Sequence, residues 1–406
     1  MYLFHLFRSF LPLHNPLGFG AADFVEFALL LLVLVLVLAR PVLVRAAERL
    51  AVRPAWCMAL LFGLVVALRL ALLPVHPVPT PSGADDFSYL LLGDTLAHFR
   101  LANPAHAMAQ FFETTFVIQH PSYASIYPLG HGFALALGQL LFGLPWAGVV
   151  MAMALIPALC YWMLRGWTSP GWALAGGLLA VIQFGPLNSW MNCYWGGPVS
   201  SVAGCLVYGA LPRIRGRFLA RDSVALGVGI GLQMLTRPYE SLFLDASVVL
   251  FFLPEVKRME WRRLGRAAVP AVLALLPFAG LQLLHDRAVT GSWTTLPYSL
   301  SRYEYGVPTT FTFEPNAVPH AELTQSQQLY YEGQAMVHGP TDTVASYLER
   351  IGSRAGFYRF FYSAPMLVAL VFFLPLLGES RYKWIALTCL LFAAGTGLYP
   401  YFFPQY

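Results

Sequence analysis

Asp85 and Asp86 stand side by side in the segment VPTPSGADDFSYLLLGDTLAHF. Two adjacent carboxylates repel, so at least one is perturbed unless a cation or a hydrogen-bond donor lies close. Such an acid at a membrane surface can take the proton of an acceptor hydroxyl as a general base. The competing reading is that one of the pair caps a helix starting at Phe87, and the two roles are compatible. Asp94 lies about two and a half helical turns further on and reads first as a polar-face residue, with sugar binding as its secondary reading. Glu113, His120 and His131 surround a Pro/Tyr/Gly-rich stretch, where they could bind sugar hydroxyls or a metal. Their spacing matches no compact metal motif. No cofactor is therefore required on this reading, and a divalent metal is not supported by spacing.

Two later clusters carry equal weight. Asn188-Ser-Trp-Met-Asn-Cys-Tyr-Trp195-Gly-Gly-Pro198 is dense in aromatics and amides. It is either an interfacial aromatic belt or, through Trp195, part of a sugar-binding wall. Thr236-Arg-Pro-Tyr-Glu240 interrupts an apolar stretch, where an arginine is costly unless it pairs or meets water. Either Glu240 neutralises Arg237, or the planar guanidinium holds an anionic group such as phosphate. The segment SWTTLPYSLSRYEYGVP adds Tyr298, Arg302, Tyr303, Glu304 and Tyr305, suited to sugar rings or to interfacial packing.

The elements that position these residues follow from composition. Of 406 residues, 58% are hydrophobic and 11% charged, and the mean hydropathy is +0.61. A soluble domain carries roughly 25% charged residues. The apolar runs approach the length that crosses a bilayer core, and backbone in lipid must satisfy its own hydrogen bonds, so the runs should be helices. The expectation is an all-α polytopic membrane protein with about ten transmembrane helices and outer-face juxtamembrane helices. Spans are predicted near 24–39, 55–73, 146–164, 171–185, 199–212, 223–236, 240–253, 267–284, 358–377 and 383–400. The first reads as a retained anchor, because arginines follow it and no small-residue cleavage site does.

Basic clusters at 40–53, 213–221, 257–266 and 381–383 mark one face, the cytoplasmic one by the positive-inside rule. All four share that face only if one of the apolar segments between 75 and 213 does not span, and 128–143, which opens with Pro and Gly and carries His131 and Gln139, is the best candidate for a helix at the membrane boundary. The polar segments 75–127 and 285–355 then share the outer face. The chain 1–406 reads as a single membrane domain, with a first outer loop and its juxtamembrane helices at 75–145 and a second long loop at 285–355. The net charge of +5 is modest and no basic block suits nucleic acid. The five cysteines form no CxxC pair, so no disulfide framework is implied.

ADDFSYLLLGDTLAHFRLANP, followed by QHPSYASIYPLGHGFALALGQLLFG, resembles the first outer loop of bacterial GT-C fold glycosyltransferases, relatives of the protein O-mannosyltransferases and of the lipid A aminoarabinose transferase. CYWGGPVSSVAGCLVYGALPRI, LTRPYES and SWTTLPYSLSRYEYGVP are similar to further parts of that group, so the resemblance covers most of 75–310. It implies a GT-C-like domain, a polyprenyl-phosphate-linked sugar donor, and inverting transfer to a lipid, glycan or protein hydroxyl on the outer face of a bacterial inner membrane. It implies Asp85 as the base, with Asp86, often Glu in the family, in a less direct role. Arg237, Glu240, Arg302, Tyr127 and His131 would meet the donor phosphate or sugar. The usual Tyr-Pro-Pro-Gly element stands here as Tyr127-Pro128-Leu129-Gly130. A lipid-linked sugar flippase is disfavoured because the candidate charges fall at span edges and in loops rather than mid-span. An outer-face polysaccharide polymerase remains the other alternative.

Overall fold

Proline opens helix after helix. It sits in the first turn at Pro54, Pro145, Pro170 and Pro297, where its missing N–H would have had no intrahelical partner. The computed structural model describes residues 28, 30–32, 35, 39 and 41–401, except 112–113, 218, 257–260 and 362–369. Most of the expected span at 24–39, part of that at 358–377, and Glu113 lie outside the described residues.

Helices α1 (Pro41–Ala51), α2 (Pro54–Ala71) and α3 (Ala84–Ala97) come first. After an irregular segment follow α4 (Leu129–Phe142), α5 (Pro145–Leu164), α6 (Pro170–Gln183), α7 (Gly197–Arg217), α8 (Ala220–Met234), α9 (Pro238–Val256) and α10 (Trp261–Thr290). The remaining helices are α11 (Pro297–Tyr305), α12 (Gln325–His338), α13 (Val344–Phe361) and α14 (Ser380–Thr396). The fold is 72% helical and 2% strand. The strands qualify the all-α expectation: β1 (Asn103–Pro104), β2 (Val117–Ile118) and β3 (Ser122–Ser125) form an antiparallel sheet in the order β1-β3-β2.

Among the described residues, three helices are long and apolar enough to cross a membrane: α2, α5 and the part of α10 from Gly265 to Thr290. Only 6% of that α10 window is buried within the protein. An apolar surface so open needs a non-aqueous neighbour, which is the physical case for membrane association. α4 and α6 are shorter apolar helices. The main core gathers α2, α3, α4, α5 and α6 around Leu61, Leu135, Met153 and Tyr161. A second core joins α7, α8 and α9 through Leu211, Leu226 and Leu244. α4 and α5 touch backbone to backbone at Gly148, where a Cβ would stand 1.8 Å from the Ala134 carbonyl oxygen.

The fully buried Arg69, near the end of α2, organises the segments that follow. Its guanidinium donates to the carbonyls of His76 (2.8 Å) and Pro77 (3.1 Å) and to Asn192 Oδ1 (3.2 Å). It also lies 4.4 Å from the centroid of the Trp146 ring. Trp146 Nε1 in turn donates to the Met191 carbonyl at 2.8 Å. A buried cation is tolerated because polar partners and an aromatic face surround it.

Candidate functional site

The two adjacent acids do different things. Gly83 is the N-cap of α3, which puts both carboxylates in the first helical turn, where the helix dipole favours negative charge. Asp86 is 2% exposed. Its Oδ2 accepts from Ser82 N (3.1 Å) and its Oδ1 from Tyr194 N (3.0 Å). It therefore ties the start of α3 to the 188–198 loop, but it is not the expected cap: the helix begins at Ala84 rather than Phe87, behind Gly83, and no side chain caps it. Asp85, one position earlier and half-buried, instead accepts the Tyr127 hydroxyl on Oδ1.

Tyrosines wall Asp85. Tyr89, one turn along α3 on the same face, stacks on Tyr127 with ring centroids 4.1 Å apart. The chain from Phe116 to Tyr127, Val289 at the end of α10, Tyr298 on α11 and Tyr330 on α12 share one apolar cluster with Ala84. Tyr298 and Tyr399 place their hydroxyls 3.2 Å apart. The small sheet is held in this assembly by hydroxyls. Ser88 on α3 donates to the Phe116 carbonyl (2.6 Å), and Ser122 on β3 donates to the Val289 carbonyl (2.8 Å).

Arg237 reaches the same place by a backbone junction. Gly130 N, in the first turn of α4, donates to the Leu235 carbonyl at 2.6 Å. A Cβ on Gly130 would lie 2.1 Å from Thr236 Oγ1, so only glycine permits the approach. This brings the Tyr127–Gly130 turn and the Thr236–Glu240 segment together. Arg237 Nη1 lies 3.2 Å from Glu240 Oε1, and both side chains are 25% exposed.

Burial raises the Asp85 carboxyl above its ordinary value, while the Tyr127 hydrogen bond and the Arg237 charge pull it back. The Tyr89 and Tyr127 hydroxyls are both raised by burial, so each remains protonated at neutral pH. His131 is fully buried and edge-on to Tyr89, with centroids 5.3 Å apart. Burial lowers it to about 3, so it is a neutral imidazole. Burial pushes the Cys193 thiol up to about 12, which removes it as a thiolate nucleophile.

The other candidates fall in different places. Arg302 donates Nε to the Pro308 carbonyl (3.2 Å) and Nη2 to that of Thr309 (3.1 Å), and so closes its own loop. Tyr298 is near it, 5.9 Å from guanidinium carbon to ring centroid. Trp195 is half-buried and packs against the main core. Asp94 is exposed and lies 3.5 Å from His98, and His120 is exposed beside the β2–β3 turn. Tyr89, Tyr330 and Tyr399 were not singled out by sequence reasoning. The first is legible, since four residues from Asp85 is one helical turn. The other two reach the site by long-range packing that no local pattern reports.

The assembly thus offers a half-buried carboxylate, a phenol that orients it, an arginine within electrostatic reach, and aromatic faces. Compared with models of protein families, with curated proteins and with solved structures, the chain matches none of them.

Proposed function

We propose that this chain is an integral membrane glycosyltransferase of GT-C-like architecture, with about ten transmembrane helices, lodged in a bacterial inner membrane with its site facing outward. It moves a sugar from a polyprenyl-phosphate donor to an acceptor hydroxyl with inversion. The observation that carries the reading is the division of labour between the adjacent acids. Asp86 is committed to two backbone N–H groups, while Asp85 is half-buried, raised in pKa and held by one tyrosine hydroxyl. A carboxylate so placed is a good base for a hydroxyl, because its basicity is closer to neutrality than that of an exposed acid.

In the proposed reaction Asp85 accepts the acceptor's proton as the acceptor oxygen attacks the anomeric carbon. The bond from that carbon to the donor phosphate oxygen breaks, and the phosphate leaves with the electron pair. Arg237 would meet the growing negative charge on that phosphate. The tyrosine faces suit the apolar side of a sugar ring.

The test is direct. Purified protein is incubated with a panel of polyprenyl-phosphate sugars and candidate lipid, glycan and peptide acceptors, beside the Asp85→Asn variant. Sugar transfer by the wild type and its loss in a folded Asp85→Asn protein is the expected result. Transfer undiminished in Asp85→Asn sinks the assignment. Orientation is checked separately with Ser82→Cys, an exposed position, which should react with a membrane-impermeant thiol reagent on intact cells.

A further inference from the structure

A second polar concavity lies away from Asp85, at the opposite end of α2. It has a volume of about 470 Å³ and is lined by Pro54 at the start of α2, by the end of α5, by the end of α7 and by the start of α8. Four arginines face it, Arg165, Arg213, Arg217 and Arg221, against one acid, Asp222. Two of the arginines are built into the wall. Arg165 donates to the Ala51 carbonyl at 2.9 Å. Arg213 donates to the Trp162 carbonyl at 2.6 Å and lies 4.1 Å from the centroid of that indole. The other two stand at the mouth. Arg217 is exposed, and the Arg221 side chain is 77% exposed, with Nε 3.9 Å from Asp222 Oδ1.

The position of the cavity narrows its ligand. α2 and α5 are both long and apolar enough to cross a membrane, and both reach this cavity with their ends. With α2 and α5 across a bilayer, an opening at their ends would sit at the depth of lipid headgroups, with acyl chains free to lie along the apolar helix faces. Guanidinium groups bind phosphate oxygens in a bidentate fork, and basic pockets between helices at this depth suit anionic headgroups. Four cations around one acid leave an excess of positive charge, which the single negative charge of a phosphodiester would reduce.

We propose that this cavity binds the phosphate of an anionic phospholipid headgroup, at a site separate from Asp85. The inference rests on the membrane character of α2 and α5 and not on glycosyl transfer, so it stands or falls independently of the proposed activity.

The experiment uses the full chain purified in detergent. Phosphatidylglycerol, phosphatidylcholine and inorganic phosphate are each titrated in, with the thermal midpoint and the lipid retained in native mass spectrometry as readouts. Phosphatidylglycerol should raise the midpoint and remain bound, while phosphatidylcholine and inorganic phosphate should do neither. Arg217→Gln with Arg221→Gln, both at the open mouth, should weaken phosphatidylglycerol binding by about tenfold or more. Arg49→Gln with Lys383→Gln, which removes two exposed cations outside the cavity, should leave it unchanged. Equal retention of the two lipids would overturn the proposal, as would equal weakening by the two double variants. Protection by inorganic phosphate as strong as by phosphatidylglycerol would make this a free-anion site and overturn the lipid assignment. The lipid comparison on the wild type decides the matter even if a variant fails to fold.

Discussion

Tyr127 donates its hydroxyl hydrogen to Asp85 Oδ1 across 42 residues of sequence. The turn that launches α4 therefore opposes the rise in pKa that burial imposes on a carboxylate on α3. Tyr127→Phe removes a bond that favours the ionised acid, so the Asp85 pKa should rise further. A base works only when ionised, and the acidic limb of the pH–activity profile should move upward. A hydrogen bond worth about 1 kcal/mol moves it by roughly one pH unit. The dependence of kcat/KM on pH measures this, and an unmoved limb excludes Asp85 as the titrating base.

Stability should respond to Asp85 in the opposite sense to activity. Burial raises its pKa in the native state, so the folded protein holds that proton more tightly than the unfolded chain. The resulting stabilisation is complete below the unfolded value of about 3.9 and is lost as pH rises through the native value. Asp85→Asn escapes that loss and still offers an oxygen to Tyr127. Its melting temperature at neutral pH should equal or exceed that of the wild type, with the difference closing in acid. A large drop in melting temperature at neutral pH would contradict this.

Asp86 should behave as a structural residue. With both oxygens accepting from backbone N–H groups of Ser82 and Tyr194, Asp86→Ala strands the buried Tyr194 donor, while that of the exposed Ser82 can turn to solvent. The expected loss is on the order of 1–3 kcal/mol. Transfer per folded molecule should be retained better than in Asp85→Asn. Denaturation curves and activity normalised to folded protein separate the two acids.

The junction at Gly130 predicts a remote effect on Arg237. Gly130→Ala drives a methyl group against Thr236 Oγ1 and the Leu235 carbonyl, so α4 and the end of α8 must part. Donor affinity should fall although no donor-binding side chain has changed. Wild-type KM and melting temperature in this variant would show that the junction is slack.

Arg237 and Glu240 pose a choice that one double variant resolves. If their 3.2 Å contact is purely structural, Arg237→Met destabilises and adding Glu240→Met restores both stability and transfer. If the arginine serves the donor phosphate, the double variant is stable and inactive. Arg237→Lys then weakens donor binding, because charge survives but the planar fork does not.

The longest apolar helices were legible because their runs are sharply bounded, whereas Pro297–Tyr305, Gln325–His338 and most of Val344–Phe361 fall in the stretch 285–355 expected as a loop. The expected segments 55–73 and 146–164 meet helices Pro54–Ala71 and Pro145–Leu164, each opened by a proline visible in the sequence. The apolar segment at 128–143 meets the helix Leu129–Phe142. The sheet was not legible, since strands of two to four residues show no alternation to detect. Asp85, Tyr127 and Arg237 were singled out from residue type, and Trp195, Asp94 and His120 by the same logic. Only tertiary packing distinguishes them. It places Tyr127 on Asp85 and brings Arg237 within electrostatic reach, while Asp94 and His120 remain exposed.

Arg69 gives the biosynthesis of the chain an order of events. Its contact with Asn192 spans 123 residues, and at a synthesis rate of about 5–20 residues per second the partner arrives roughly 6–25 s later. Until Trp146 is made, whose ring it meets in the fold, the cation sits at the end of an apolar helix with the His76 and Pro77 carbonyls, made just after it, as its close partners. Those two carbonyls are the ones that a short chain can supply alone. The end of α2 and the 188–198 loop therefore lock together late, and a ribosome-bound chain truncated before Asn192 should leave Arg69 accessible to guanidine-modifying reagents that the full chain excludes.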